Sequence, residues 1–262
     1  MSGVQGRVAL VTGAGSASGI GFAIAKVLTN AGARVAVTST TDRILDRCKA
    51  LPAKPADKLA VVADLTRQAD VTQLIAEARG AFGRIDILVN NAGMIQTGHR
   101  SRSSRAHEIS DEKWRDHFDL NLTTCFAMTR AVLPLMLRRG YGRIVNMSSV
   151  TGPLVTNPKM AAYSAAKAAM VGYTRAVAIE VARKGITANA IAPGWIKSGS
   201  ASKKEILAGA QTPVGRSGTP DEVAALALFL AGEEASYVTG QLIVVDGGNS
   251  IQEFKGPREA WY

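Results

Sequence analysis

Residues 11–21 read VTGAGSASGIG. It continues a strand-like apolar run, RVALVT at 7–12, and it opens a helical stretch over 19–30. Glycines let the chain turn tightly and bring backbone N–H groups close to a phosphate at the start of a helix. Glycines between a strand and a helix therefore predict a dinucleotide-phosphate loop, and a plain strand-to-helix turn is the alternative.

The same alternation of a short apolar run and a longer amphipathic stretch repeats along the rest of the chain. Predicted strands lie at 7–12, 33–39, 59–64, 85–93, 142–149, 185–194 and 241–248, and predicted helices at 19–30, 66–82, 111–139, 160–184 and 220–231. Apolar strands that alternate with helices indicate a parallel sheet covered on both faces. We therefore predict an α/β, doubly wound Rossmann fold with a central, mostly parallel, seven-stranded sheet. It should form one domain over 1–262, with an inserted loop at about 94–110 and a C-terminal tail at about 249–262.

The overall composition excludes several classes of protein. Apolar residues make up 47% of the 262 residues, which is enough for a buried core, and no apolar run reaches the length of a membrane helix or a signal sequence. We therefore expect a cytoplasmic protein. The two cysteines, Cys48 and Cys125, are far apart and no metal-ligand spacing is present, so we interpret both as packing residues and expect no metal.

The net charge of +10 is compatible with nucleic acid, an acidic substrate or a phosphorylated cofactor. The basic residues are spread along the chain, and no aromatic-and-basic RNA-binding motif accompanies them. We therefore expect no nucleic-acid partner. A basic nucleic-acid-binding protein remains an alternative that salt-dependent duplex binding would reveal.

Unusual polar and glycine-containing sequences follow most of the predicted strands. They read TGAGSASGIG, AD, NNAG, SS and APGW, starting at residues 12, 63, 90, 148 and 192. Ligands of doubly wound sheets bind beyond the carboxyl ends of the strands. These sequences therefore predict a single composite site at that edge.

Tyr163 and Lys167 stand four residues apart in the alanine-rich sequence AAYSAAKAAM, which begins at residue 161. Residues i and i+4 share one face of a helix, and the alanines between them leave room for a partner. An ammonium about 4 Å away should lower the pKa of the Tyr163 phenol from near 10 to about 7, where it can exchange protons. On the pair alone, a buried tyrosine and a solvated lysine are the alternative.

Together these motifs resemble the short-chain dehydrogenase/reductase family over residues 7–248. The first motif differs from the family pattern, because the turn between Gly13 and Gly19 is two residues longer than usual. The resemblance implies a catalytic set of Asn121, Ser149, Tyr163 and Lys167. Tyr163 would transfer the proton, Ser149 would hydrogen-bond the substrate oxygen, Lys167 would fix the ribose hydroxyls, and Asn121 would order a water. Ser149 is chosen over Ser148 because it lies three residues before Gly152.

The resemblance also implies a set of residues that hold a nicotinamide dinucleotide. Besides Tyr163 and Lys167 these are Thr12, Gly13, Gly15, Ser16, Gly19, Ile20, Gly21, Asp64, Leu65, Asn91, Ala92, Gly93, Pro193, Gly194, Ile196 and Ser198. NAD-binding domains usually place an acidic residue at the end of the second strand. Here Thr38, Ser39 and Thr40 replace it and Arg43 follows, so we predict that Ser39, Thr40 and Arg43 favour NADP(H) over NAD(H). Asp42 is the counter-evidence.

The substrate is less well indicated by the sequence. The segment from Pro193 to about residue 248 most resembles 3-oxoacyl-(acyl carrier protein) reductases, which implies a 3-oxoacyl thioester and a possible acyl carrier protein partner. Lys184, with Arg138 and Arg139 beside Gly140, would then meet the acidic carrier, and Trp195 would form a wall of the substrate pocket beside Ser149.

Several alternatives stay open at this point. They are a dehydrogenase or reductase of a small sugar, cyclic alcohol or other secondary alcohol, and a catalytically silent cofactor-binding scaffold. Arg100, Arg102 and Arg105 could form an anion-binding rim or a solvated loop, and His99 and His107 are interpreted as loop residues. The resemblance further implies a homotetramer, and the tail could cross to a neighbouring subunit.

Overall fold

The computed structural model describes residues 3–93, 104–253 and 256. These residues form one sheet of seven parallel strands in the order β3-β2-β1-β4-β5-β6-β7. The strands are β1 (Val8–Thr12), β2 (Arg34–Ser39), β3 (Lys58–Val62), β4 (Ile87–Asn90), β5 (Gly142–Met147), β6 (Ile186–Pro193) and β7 (Leu242–Val245). The predicted doubly wound parallel sheet is thus confirmed.

Eight α-helices accompany the strands within the described part of the chain. They are α1 (Ile20–Asn30), α2 (Arg43–Lys49), α3 (Gln68–Phe82), α4 (Asp111–Phe118), α5 (Thr124–Arg139), α6 (Ala161–Val181), α7 (Lys203–Ala210) and α8 (Pro220–Ala231). The sequence prediction missed α2 and α7. It also joined α4 and α5 into one straight helix, whereas a π-helical turn over Asp119–Thr123 separates them.

Alternate side chains of each strand enter two separate hydrophobic cores. Ala9 and Val11 of β1 pack with α1 and α8 on one face of the sheet. Val8 and Leu10 pack with α3, α5 and α6 on the other face. Because both faces are covered, the strands are apolar almost throughout, which is why the sequence shows continuous apolar runs and not a two-residue alternation.

The helical stretch Asp111–Arg139 is long and apolar enough to cross a membrane by length and composition alone. Met128, Val132 and Met136 on this stretch are fully buried against the sheet. A helix of this kind is also found in the core of folded proteins, and its packing here assigns it to the core.

The sheet reverses its direction of growth at β1, which lies between β2 and β4. The loops that follow β1 and β4 therefore diverge and leave a crevice at the carboxyl edge of the sheet. The glycine stretch after β1 and the NNAG sequence after β4 both lie at this crevice.

Candidate active site

The glycine loop after β1 is fastened directly to the turn after β4. The Thr12 hydroxyl accepts hydrogen bonds from the backbone N–H groups of Asn91 (3.0 Å) and Ala92 (2.9 Å). In return, the Asn91 amide donates to the carbonyls of Thr12 and Gly13, both at 3.1 Å. These bonds hold the two loops of the crevice in one fixed arrangement.

Two glycines of the loop are required by this close approach. Gly13 has a φ of +69°, and a Cβ there would lie 2.8 Å from Ala92 Cα. A Cβ on Gly21 would lie 2.6 Å from the Gly13 carbonyl oxygen. Only glycine can therefore bring the start of α1 so close to the loop in front of it.

The N-terminus of α1 is suited to an anion. Gly19 occupies the cap position, no side chain among the described residues caps this end by a hydrogen bond, and the first turn holds no acidic residue. The first backbone N–H groups of a helix lack intrahelical partners and carry a partial positive charge. This end therefore fits the pyrophosphate of a dinucleotide.

The end of β2 carries hydroxyl groups and an arginine in place of a carboxylate. The Ser39 hydroxyl donates to the Thr41 carbonyl (3.0 Å), and Arg43 Nε donates to the Thr41 hydroxyl (3.1 Å). Asp42 lies at the position that precedes α2 and makes no side-chain cap hydrogen bond there. Thr40 thus belongs to the short segment after β2, and Arg43 is the first residue of α2, a helix that the sequence did not predict.

The turn after β3 positions Asp64 and Leu65 at the same edge of the sheet. Asp64 Oδ1 accepts from the Thr66 backbone N–H (3.0 Å) and hydroxyl (2.7 Å), so part of this carboxylate shapes its own turn. Leu65 is buried beneath it.

The segment after β6 begins with a close contact to the end of β7. Gly194 N–H donates to the Val245 carbonyl (2.9 Å), and a Cβ on Gly194 would lie 2.6 Å from Asp246 Cβ. Trp195 is half-buried, and its carbonyl accepts from Gly218 N–H at 2.9 Å. Further along, the Ser198 and Ser200 hydroxyls are hydrogen-bonded at 3.0 Å.

The structure brings Ser149, Tyr163 and Lys167 together at the carboxyl end of β5. The Ser149 and Tyr163 side chains are hydrogen-bonded to each other. The Lys167 ammonium lies 5.8 Å from the centroid of the Tyr163 ring. Tyr163 and Lys167 are only 7% and 4% exposed, which excludes the alternative of a solvated lysine.

The electrostatics of the pair differ from the expectation of a lowered tyrosine pKa. Burial raises the pKa of the Tyr163 phenol to about 12, although the hydrogen bond with Ser149 opposes this shift. Burial also lowers the pKa of the Lys167 ammonium to about 8. The expectation of a lowered tyrosine pKa was therefore wrong for the protein without a ligand. The Lys167 ammonium donates its hydrogen bond to the Met147 carbonyl (2.8 Å), and desolvation of the buried phenol outweighs the attraction of that ammonium.

Asn121 lies in the π-helical turn between α4 and α5 and is fully buried. Its amide donates to the His117 carbonyl at 3.0 Å, and its Oδ1 faces Gly93, whose Cβ would lie 3.0 Å away. The extra residue of a π-turn shifts the following side chains around the helix. This shift turns Asn121 toward the NNAG turn.

Sequence reasoning missed the residues that hold Lys167 in place. The Ser148 hydroxyl donates to the Lys167 carbonyl at 2.9 Å and thereby fastens α6 to the end of β5. Below it, Asn146 accepts from Asn90 (2.8 Å) and donates to Thr174 (2.9 Å), and the Cys125 thiol contacts the same Asn146 oxygen. Asn90 and Asn146 are polar residues within apolar strand sequences, and this pattern could have indicated a buried hydrogen-bonded group.

The basic residues predicted to meet an acidic carrier lie away from Tyr163. Arg138, Arg139 and Lys184 precede the amino ends of β5 and β6, at the edge opposite Tyr163. Lys184 is about 25 Å from Lys167 at the 1.5 Å rise of a helix. These groups therefore cannot line their own subunit's site. Arg100, Arg102 and His99 lie outside the described residues, and the exposed His107 forms a contact with Glu108 at 3.7 Å.

Comparison with known proteins identifies the relatives of this chain. Residues 13–250 match the family model described as enoyl-(acyl carrier protein) reductase. Oxidoreductase UcpA of Salmonella typhimurium is 38% identical over 265 aligned residues, which cover 97% of this chain and 98% of UcpA. The 3-oxoacyl-[acyl-carrier-protein] reductase FabG of Escherichia coli is 37% identical over 248 residues, covering 93% of this chain and 97% of FabG.

A solved structure is similar over nearly the whole chain. It is a putative gluconate dehydrogenase from Agrobacterium tumefaciens, with a TM-score of 0.84 and 35% sequence identity. The similarity covers 94% of this chain and 96% of that one. The fold of that structure thus agrees with the arrangement of strands and helices described above.

Proposed function

This chain belongs to the short-chain dehydrogenase/reductase family, and we propose that it is an NADP(H)-dependent oxidoreductase that reduces the keto group of a 3-oxoacyl thioester. The observation that carries the proposal is the cluster of half-buried Ser149 with buried Tyr163 and Lys167, at the same edge of the sheet as an α1 N-terminus that no described side chain caps. A proton-transferring phenol and an anion site at one crevice are what hydride transfer with a dinucleotide requires.

The dinucleotide would lie along the carboxyl edge of the sheet. The loop after β1, with Gly13, Gly15, Ser16, Gly19, Ile20 and Gly21, would hold its pyrophosphate. Asp64 and Leu65 would face the adenine, Ala92 and Gly93 the ribose next to the nicotinamide, and Pro193, Gly194, Ile196 and Ser198 the carboxamide. When bound, the nicotinamide supplies or accepts the hydride, and residues of the chain donate or accept the proton.

Tyr163 is the proposed proton donor to the substrate oxygen. Its hydroxyl already bonds Ser149, so the two hydroxyls can hold a carbonyl oxygen between them and stabilise the charge that develops on it. Lys167 lies beneath the ring and would take part in restoring the proton, since its lowered pKa of about 8 lets it release one near neutral pH. Asn121 would connect Lys167 to solvent through a water.

The preference for NADP(H) is supported by the end of β2. It presents Ser39, Thr40 and Arg43 where NAD-binding domains carry a carboxylate. Replacing Arg43 by Gln should lower kcat/KM for NADPH roughly tenfold and change the value for NADH little. Lys49→Gln, which removes an exposed charge from the same helix, is the matched control, and a higher wild-type kcat/KM with NADH would refute the preference.

The thioester substrate is supported by the 37% sequence identity with FabG, which extends over 93% of the chain. Lys184, Arg138 and Arg139 lie before the amino ends of β5 and β6 and do not line the site, and they stay proposed contacts of an acidic acyl carrier protein. Trp195 would wall the substrate pocket next to Ser149.

Oxidation or reduction of a sugar acid or another small secondary alcohol is the second candidate. The similarity to the putative gluconate dehydrogenase favours it. The same catalytic cluster would serve this reaction, because Tyr163 would again exchange the proton with the oxygen of a carbonyl or secondary alcohol.

An initial-rate assay with a substrate panel tests both candidates. NADPH consumption would be followed with acetoacetyl-CoA, a β-keto ester, simple ketones and quinones, and gluconate oxidation with NADP⁺, each repeated with NADH or NAD⁺. Fast turnover of the thioester with NADPH would support the proposal. If the thioester is not turned over but a small alcohol or ketone is, the second candidate function replaces thioester reduction.

We further propose a cytoplasmic homotetramer. Exposed apolar side chains on α5 and α6 (Phe126, Leu137 and Ile179) and on the α8 and β7 side (Phe229, Tyr237, Val244 and Ile251) would be covered in it. The two groups of residues lie on separate surfaces, as two distinct subunit interfaces require.

A further inference from the structure

The glycine loop, which is two residues longer than the family pattern, reaches across the crevice to the segment after β6. Ser16, Ala17 and Ser18 form an exposed tip, whereas Ala14 and Gly15 before them are buried. The Ser18 carbonyl accepts a hydrogen bond from Gly199 N–H at 3.3 Å. The loop that begins at β1 thus touches the segment that begins at β6.

Gly199 allows this contact because it has no side chain. A Cβ at this position would lie 2.5 Å from Ser18 Oγ and 3.2 Å from Ser16 Oγ. Its φ lies outside the left-handed region, so its backbone conformation does not require glycine. The close approach of the two segments is therefore the physical reason for glycine at 199.

Both partners of the contact are anchored on their far sides. The tip is held at its base, where Gly15 packs against Ser39 so closely that a Cβ would lie 2.8 Å from the Ser39 Cβ. The opposite segment is held by the bond from Lys197 N–H to the Gly218 carbonyl at 2.8 Å. A contact between two anchored segments can keep the crevice closed, since neither can retreat without breaking other bonds.

The segment after Gly199 also leads to the reacting centre. Ser202 caps α7, and its N–H donates to the Glu205 carboxylate at 2.6 Å. Glu205 is near enough to Tyr163 for its charge to raise the pKa of the phenol. The position of residues 198–205 therefore affects both the loop and the site of proton transfer.

We propose that Ser18 and Gly199 are positioning residues that latch residues 198–205 over the proposed dinucleotide site. The inference rests on the proposed function, because the ligand held beneath the latch is the nicotinamide dinucleotide. With the latch formed, the dinucleotide leaves only after the contact between the tip and residue 199 opens. Loss of the latch therefore speeds dissociation of the dinucleotide.

A pair of compensating substitutions tests the latch. Gly199→Val places a side chain against Ser18 and forces the two segments apart. Ser18→Gly removes the hydroxyl that this side chain meets and keeps the backbone bond, so Ser18→Gly combined with Gly199→Val should allow the latch to close again. Gly80→Val, at a helical glycine whose Cβ would meet no described atom within 4 Å beyond the neighbouring backbone of its own helix, controls for the general effect of replacing glycine by valine.

The measurement is stopped-flow dissociation of NADPH, followed by nucleotide fluorescence, with NADH run in parallel and unfolding midpoints recorded. Gly199→Val should raise the dissociation rate about five- to tenfold, and the double variant should return to within about twofold of wild type. An unchanged rate in Gly199→Val, or a double variant as fast as the single one, would overturn the latch. A wild-type protein that binds neither nucleotide would overturn the proposed function and the latch with it.

Discussion

Ser148 and Ser149 are adjacent in the sequence, yet their hydroxyl groups have different partners. Ser148 bonds the Lys167 carbonyl and is buried, whereas Ser149 bonds Tyr163 and accepts from Thr151 N–H at 3.0 Å. One hydroxyl fastens a helix to a strand, and the other lies against the proposed proton donor. The pair therefore separates stability from catalysis at neighbouring positions.

Ser149→Ala should lower kcat by about two orders of magnitude, because it removes a donor to the developing oxyanion. Its unfolding midpoint should stay near that of wild type. Ser148→Ala should instead lower the free energy of unfolding by about 1 kcal/mol, because the buried hydrogen bond from Ser148 to the Lys167 carbonyl is lost. Steady-state kinetics and thermal unfolding of both variants check this, and equal losses of kcat would contradict the assignment of Ser149.

Lys167 should make stability depend on pH in a defined direction. Its pKa is about 8 in the folded protein and 10.5 ordinarily, so between these values the unfolded chain keeps a proton that the folded protein has released. Because the unfolded state binds more protons there, the free energy of unfolding rises with pH through this window. Below pH 8 both states are protonated, and the cost of burying the charge is present in full.

Lys167→Met should remove this dependence. The stability of wild type relative to the variant should increase by about 2 kcal/mol from pH 8 to pH 10, measured by urea unfolding of the protein without added nucleotide. Lys26→Met removes an exposed ammonium on α1 and should follow the wild-type profile. A constant difference between wild type and Lys167→Met would show that the ammonium is not desolvated in the folded state.

At the scale of elements, the turn between β1 and α1 depends on a contact as well as on a backbone angle. Gly13 and Gly83 have similar φ values, +69° and +75°, but only Gly13 has a neighbouring loop at its Cβ position. Gly83→Ala should therefore lower the free energy of unfolding by about 1 kcal/mol, the cost of the left-handed conformation. Gly13→Ala should cost roughly 3 kcal/mol and weaken dinucleotide binding.

Denaturant unfolding and nucleotide titration of Gly13→Ala and Gly83→Ala separate the cost of the positive φ angle from the cost of the contact with the neighbouring loop. Gly83 ends α3, far along the chain from the crevice, so its variant should bind nucleotide as wild type does. Equal destabilisation of the two variants would mean that the bonds between Thr12 and Asn91 can relax around an added methyl group.

Elements could be predicted from the sequence where they contribute to the two cores. The strands and α1, α3, α6 and α8 show apolar patterns because their side chains pack on the sheet, and their predicted bounds were close to those found. The missed helices are short, and α7 is secured by tertiary contact: a Cβ on Gly209 would overlap Ser217. The π-turn at Asn121 was missed because it interrupts no apolar pattern.

The candidate site could be predicted by motif, but its internal contacts could not. Ser149, Tyr163 and Lys167 were predicted to lie together, and the structure brings them together. The raised pKa of Tyr163 depends on its burial, which a motif does not report. The distance of Lys184 from the site likewise follows only from the direction in which α6 runs along the sheet.

For the whole molecule, apolar side chains on the two long helices α5 and α6 are exposed. Ile179 on α6 is 83% exposed, and Phe126 on α5 contacts Tyr173 on α6 edge to face with ring centroids 6.1 Å apart. Contiguous exposed apolar side chains on a folded protein commonly mark a subunit interface. The proposed tetramer would bury this face of α5 and α6 against the same face of a second subunit.

Ile179→Asp should therefore convert the tetramer to dimers, because two carboxylates would be buried near each other at a twofold interface. Size-exclusion chromatography with light scattering measures this, and the unfolding midpoint at fixed protein concentration should fall with the lost assembly. Leu45→Asp, on α2 and 45% exposed, is the control and should leave the tetramer intact. A wild-type protein that elutes as a monomer would contradict the assembly, and the exposed face of α6 would then need another partner.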